Sequence, residues 1–180
     1  MGASSVASQI TPEEYLRNPD YEHSEYVDGQ PVELNVVGVP HSRIQLKCGR
    51  KLDEYLDQHP GGFVAVEMHC KLSIEGESRF RLPDVALVLA RDAAEDRYLD
   101  RAPDLVVEIR SPDDSIAALL RKMDEYFANG AKLGWLILPE EKSVLVITAD
   151  RAVRTAVSGE TLDGGGLLPE LQIPVDELFA

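Results

Sequence analysis

Short apolar runs alternate with polar turns along this chain, and three stretches carry helical spacing instead. Thr11-Pro12-Glu13-Glu14 predicts a helix start, with Thr as N-cap, proline in the first turn and acids at the positive dipole end. Asn18-Pro19-Asp20 stops it. Between Ser24 and Val37, Asp28-Gly29 separates two strand-like runs, which predicts a hairpin. After Pro40-His41, the positions Ile44, Leu46, Leu52, Tyr55 and Leu56 fit a helix of about four turns, closed by His59-Pro60-Gly61-Gly62.

Phe63 to Ile74 alternates. Val64, Val66, Met68, Cys70 and Leu72 face one way and Ala65, Glu67, His69 and Lys71 the other, which predicts one half-buried strand. Residues 75–81 read as a polar turn, and a buried strand begins at Asp84. Residues 91–103 read as a loop with room for one helical turn, and 104–111 as the next strand. Ser111 to Ser115 cap a helix whose apolar stripe is Ile116, Leu119, Leu120, Met123 and Phe127, ended by Asn129-Gly130. Residues 133–139 form a further buried strand, and 142–150 with 151–159 an antiparallel pair. The tail is a loop and a short terminal segment.

The strand–helix–strand unit at 104–139 implies a parallel, right-handed crossover. The expected class is α/β, a mixed central sheet flanked by helices. Residues 1–10 are expected to be a disordered lead and 11–180 a single domain, which suits a chain of 180 residues.

Composition narrows the function classes. A net charge of −14 argues against broad electrostatic adhesion to nucleic acid or an anionic membrane, yet leaves room for a local basic patch or a cation site. No apolar run approaches the ~20 residues of a membrane span, and the N-terminus lacks a secretory pattern. Cys48 and Cys70 form no CxxC pair and read as thiols in a reducing cytoplasm. His23, His41, His59 and His69 show no zinc spacing; His41 reads as a structural residue at a helix start.

One residue does not fit the apolar pattern. Leu105, Val106, Val107 and Ile109 read as a strand buried on both faces, and Glu108 lies inside that run. Desolvating an ionised carboxylate costs several kcal/mol or more unless something compensates. Arg110, two positions on, projects from the same strand face and is one candidate partner. Asp84 opens another strand. If the two strands are neighbours, the carboxylates lie roughly 5 Å apart. Two bare carboxylates that close repel, and a divalent cation removes the conflict. Carboxylates holding such a cation beside a fixed positive charge suit phosphodiester hydrolysis. The structural alternatives are a strand-start role for Asp84 and a buried ion pair between Glu108 and Arg110 or another base. Glu67 and Lys71 join the site only if their strand face lines it.

Several segments together resemble the Uma-type restriction endonuclease family of bacterial proteins, within the PD-(D/E)xK nuclease superfamily. They are Glu25-Tyr26-Val27-Asp28-Gly29, Pro40-His41, Arg81-Leu82-Pro83-Asp84-Val85 and Ala102 through Pro112, followed by Lys122 with Tyr126, Gly130 and Trp135-Leu136-Ile137. The resemblance implies a restriction-endonuclease-like fold and a Mg²⁺-dependent endonuclease, with Mn²⁺ as a substitute. It implies Asp84, Glu108 and the Ile109 carbonyl as metal ligands and Glu25 as an accessory acid. The superfamily's last position is usually lysine and is Arg110 here. Arginine stabilises charge but cannot act as a base. Lys122, on the following helix, is the candidate to fill the lysine's place.

The resulting expectation is a cytoplasmic, homodimeric enzyme acting on DNA and not bound to membranes. Its competitors are a catalytically silent binding or regulatory domain that kept the fold, and a hydrolase of small phosphate esters.

Overall fold

A computed structural model describes residues 9–89 and 98–180. Most of the lead expected at 1–10, and much of the loop expected at 91–103, lie outside the described residues. Thr11 caps α1 (Pro12–Arg17) with a reciprocal capping box to Glu14. The hairpin follows as β1 (Ser24–Val27) and β2 (Gln30–Glu33). Its turn residues Asp28 and Gly29 have φ of 51° and 79°, the left-handed pair a tight hairpin requires.

α2 (Val39–Gln58) buries His41, Ile44, Gln45, Cys48, Leu52 and Leu56, a stripe at helical spacing. Leu46 falls off that stripe and is 72% exposed, contrary to the expected apolar face.

The alternating run 63–74 is not one strand. It breaks into β3 (Phe63–Val66) and β4 (Cys70–Ile74), which belong to different sheets. Glu67 adopts φ 48° at the break, which interrupts the pleat that the alternation alone would continue. Nor is 75–81 a turn: Glu75-Gly76 turns the chain, and β5 (Glu77–Arg81) pairs with both β4 and β1. Its polar residues hid it. Arg79 and Arg81 alternate along the strand and are held by acids rather than by water.

β6 (Val85–Val88), β7 (Leu105–Ile109), β8 (Leu133–Leu138), β9 (Ser143–Thr148) and β10 (Val153–Val157) complete a mixed six-stranded sheet of order β10-β9-β8-β7-β6-β3. β7 and β8 are parallel, joined through α3 (Ile116–Ala128), and the other neighbours are antiparallel. β11 (Thr161–Gly164) and β12 (Leu168–Pro174) form a hairpin leading into α4 (Val175–Phe179), where sequence had suggested only a loop and a short segment.

The sheet carries a core on each face. Val85, Leu87, Val107 and Ile109 pack with α2 and α4, while Val88, Val106 and Leu136 pack with Met123 and Tyr126 of α3. This is helix–sheet–helix layering. A Cβ on Gly134 would lie 2.9 Å from Met123 Sδ, so glycine there lets α3 lie close on β8. That close approach brings α3 side chains to the acid on β7.

Candidate functional site

α3 buries only part of the stripe its apolar residues suggest, Leu119 and Met123, with Phe127 packed against the same core. Leu119, Met123 and Tyr126 face inward, whereas Ile116 and Leu120 are 37% and 36% exposed. Lys122 and Tyr126, four apart, therefore meet the sheet together. Lys122 Nζ lies 2.8 Å and 2.9 Å from the two Glu108 carboxylate oxygens, and Tyr126 donates its hydroxyl to Glu108 Oε1 at 3.0 Å. This compensates the buried acid. The guanidinium of Arg110 instead meets Glu141 at 3.3 Å, Glu140 at 3.6 Å and the Asp114 carbonyl at 3.3 Å. β7 ends at Ile109, so strand alternation no longer fixes where Arg110 points.

Lys122 is shared. It also lies 2.7 Å from Glu25 Oε1, on β1. Glu25 in turn accepts from Leu82 N at 3.1 Å and pairs with Arg81 at 2.6 Å. Arg81 binds Glu125 of α3 through two nitrogens at 2.7 Å and 2.9 Å, and Arg79 contacts the same carboxylate. Two sheets and α3 are thus tied by one chain of buried charge. Arg81 and Glu125 were not singled out from sequence; Arg81 stood only as part of the segment resembling the family.

Asp84 closes the other side. β6 and β7 are antiparallel with Val85 opposite Val107, so Asp84, just ahead of β6, lies at the end of the sheet that holds Glu108, close enough for its charge to act on that acid. Asp84 Oδ2 accepts from the Ile109 amide at 2.6 Å. His41 reaches over from α2: its Nε2 lies 3.3 Å from Asp84 Oδ1 and 3.1 Å from the Ile109 carbonyl. Gln45, one turn on, donates to the Asp84 carbonyl at 3.0 Å and to Glu67 at 3.2 Å. So Glu67 does approach the site, while Lys71 lies by Asp100 instead. Sequence had read His41 as structural; its only signal was its place in the Pro40-His41 segment.

The electrostatics follow from this crowding. Burial, with Asp84 and Glu25 nearby, outweighs Lys122 and raises the Glu108 pKa to about 7. Burial also acts on Glu25, but Lys122 and Arg81 outweigh it and hold that carboxyl below its ordinary value. Burial opposes the charge on Lys122, yet the two acids win and raise its pKa, so it keeps its proton. For His41 burial pulls downward, but Asp84 and the Ile109 carbonyl raise the pKa overall.

The donor set suits a hard divalent ion. Asp84 Oδ1 and the Ile109 carbonyl converge on His41 Nε2, and Glu108 shares its one lysine with Glu25. Magnesium uses one or two carboxylates and keeps waters or phosphate oxygens for its other positions. Among the described residues no group of three or more His, Cys, Asp or Glu side chains is arranged to hold a metal unaided. A site of two carboxylates and one carbonyl does not depend on such a group. A cavity of about 460 Å³, lined by His41, Arg110, Asn35, Val36, Ser111 and Pro139 among others, opens beside this end of the sheet.

No helix among the described residues is long and apolar enough to cross a membrane. No curated protein matches the chain. A crystal structure from Anabaena variabilis, titled as a putative nuclease belonging to DUF820, superposes with a TM-score of 0.82 at 23% identity, covering 94% of this chain and 97% of that one. It shares the restriction-endonuclease-like fold, a mixed sheet flanked by helices. A family model described as "Putative restriction endonuclease" matches residues 12–176, and the chain belongs to that family, Uma2.

Proposed function

We propose that the protein is a metal-dependent endonuclease that hydrolyses DNA phosphodiester bonds. The observation that carries this reading is Asp84 just ahead of β6 and Glu108 on the neighbouring β7, with Lys122 held against Glu108. Asp84, Glu108 and the Ile109 carbonyl would hold Mg²⁺ or Mn²⁺. When bound, such an ion polarises a phosphoryl oxygen and acidifies its water. Glu25 fixes Lys122 from the side opposite Glu108. Lys122 retains its proton, so it offers positive charge to the developing phosphorane and does not take a proton from water. Arg110, which lines the cavity, would meet the phosphate backbone there in exchange for Glu140 and Glu141. Cutting both strands of a duplex calls for two such sites, so the reading expects a homodimer.

Supercoiled plasmid incubated with the protein and Mg²⁺ or Mn²⁺ tests the proposal. Nicked and linear products are expected, lost in Asp84→Ala and Glu108→Ala. An inert wild type, or equal cutting by the variants, overturns it.

A second reading has its own support. Both Glu108 oxygens are already engaged by Lys122 and Tyr126, as in a silent domain that kept the fold for binding. Thermal unfolding separates the two. A metal at 100 times its Kd stabilises by roughly 2.7 kcal/mol, and a silent site gives no shift.

A further inference from the structure

We propose that the cavity beside the site is one lobe of a groove for single-stranded DNA, which seats an unstacked base there and its phosphates on Arg110, Arg43 and Lys142. The inference rests on the endonuclease reading above and adds a substrate class to it. The cavity of about 460 Å³ is walled by Val36, Pro40, Pro112 and Pro139, and Arg110 and His41 line it too. A second cavity of about 280 Å³ shares Pro40 and Pro139 with the first and is lined by Phe179, Arg43 and Lys142. The two therefore lie side by side, across the start of α2 and the end of β8.

The apolar surface here faces water. Val36 is fully exposed and Val39, at the start of α2, is 74% exposed. Such side chains gain by covering the face of a base, and half-buried Phe179 offers a ring for stacking. The first lobe falls in the range of small-ligand pockets, roughly 300–1,000 Å³, which suits one base. A paired base stays within its stack and does not enter.

Charge favours one strand over two. The chain carries −14, so it lacks the broad positive field that a duplex backbone calls for. Along the two lobes the local balance reverses, with Arg110, Arg43 and Lys142 set against Asp113 and Glu140. Arg43 also donates to the Ala180 carbonyl at 3.1 Å, and Lys142 is exposed on the turn between β8 and β9. A narrow cationic track with apolar and aromatic contacts for the bases holds single strands without reading their sequence. His41 links this groove to the acids. It lines the first lobe, and its Nε2 lies 3.3 Å from Asp84 Oδ1, so a strand seated there passes the Asp84 end of the site.

Binding of a short fluorescein-labelled oligo(dT), and of a duplex of matched length, is measured on the full chain by fluorescence anisotropy in EDTA. With no metal present, the readout is independent of cleavage. The single strand is expected to bind about tenfold more tightly than the duplex, the worth of one well-stacked base. Val36→Asp should weaken it by about the same factor. Lys142→Gln should lower the slope of log K against log salt by about 0.7, the value for one phosphate contact on a single strand. Both side chains are exposed, so neither change threatens folding. Duplex binding as tight as that of the single strand overturns the proposal, as does single-strand binding that ignores both substitutions. A chain that binds the strand as expected yet cuts no plasmid with metal keeps the groove and loses the endonuclease reading. One that cuts plasmid yet binds no single strand loses this inference alone.

Discussion

The loop entering β7 and the strand itself each bury an acid, and the two acids sit in opposite electrostatic states. Asp104 and Glu108 are equally hidden, each 4% exposed. Burial works against the charge on Asp104, but Lys132 at 2.8 Å, the Leu89 amide at 2.9 Å and Arg101 at 3.1 Å overcome it and lower its pKa. Burial on Glu108 is not overcome, and its pKa rises to about 7. The difference has two parts: Glu108 lies deeper among protein atoms, so burial weighs more heavily on it, and its cation is shared. Asp104 has two of its own, one of them largely in solvent. Glu108 has Lys122, which Glu25 also claims, and it has Asp84 beside it. Equal surface exposure therefore says little about the state of an acid. Depth and the exclusivity of the positive partners decide it together, and at Glu108 both disfavour the charged form.

The largest test of this contrast removes the shared cation. Lys122→Met leaves Glu25 and Glu108 without the ammonium between them. Breaking a buried pair by deleting one partner costs about 3–5 kcal/mol. Urea unfolding should show a loss of that order at about pH 8 and a smaller one at about pH 5, where Glu108 is largely protonated. A loss that ignores pH would mean the effect is packing alone.

A paired substitution gives smaller effects of opposite sign. The raised Glu108 pKa means the folded state holds that proton more tightly. The associated stability is full below the ordinary carboxylate value of 4.5 and is lost as pH rises through about 7. Glu108→Gln removes that loss, so it should stabilise above neutrality, by on the order of 1–3 kcal/mol, and make no difference near the ordinary value. For Asp104 the sign reverses, because its lowered pKa makes the charged form the stabilising one. That stability is present above the ordinary value of 3.8 and fades only in acid. Asp104→Asn should therefore destabilise at neutral pH, by about 1–3 kcal/mol, as the Leu89 amide and two cations lose their acceptor. Thermal melts of both variants across pH would show the curves diverging. If both destabilise alike at neutral pH, the contrast between the two acids is lost.

Much of the fold was legible in the apolar pattern, because a buried strand beside an amphipathic helix leaves a simple trace. β7, α3 and β8 follow it, and the oddity of Glu108 was visible for the same reason. What sequence concealed has a common cause. β5 looks like a turn because Arg79 and Arg81 spend their charge on Glu25 and Glu125, and polarity satisfied inside the protein reads the same as polarity facing water. α3 turns Lys122 inward for the same reason, on the flank of a stripe from which only Ile116 and Leu120 are exposed. The β3–β4 break left no mark in the alternation, since a single positive φ at Glu67 does not change residue periodicity. Asp84 and Glu108 could be brought together in advance only by supposing their strands to be neighbours, which β6 and β7 are. His41 could not, because its approach from α2 depends on how helix and sheet pack.

The smallest expected effect concerns Arg110, the cation that sequence set nearest Glu108. Its partners Glu140 and Glu141 are 64% and 47% exposed on their side chains, so solvent screens both pairs. Exposed pairs of this kind contribute about 0.2–1 kcal/mol. Arg110→Ala should move the melting temperature only slightly. It should also leave the titration of Glu108 near its wild-type midpoint of about 7, followed by carbon-detected NMR of labelled carboxylates. That second readout carries the argument. Lys122 and Tyr126 bond Glu108, and its neighbouring charges come from Asp84, Glu25 and Lys122, none of which involves the guanidinium. A shift of the Glu108 midpoint in Arg110→Ala would mean that the guanidinium reaches across the end of β7, and Lys122 would no longer be the cation that sets the state of this acid.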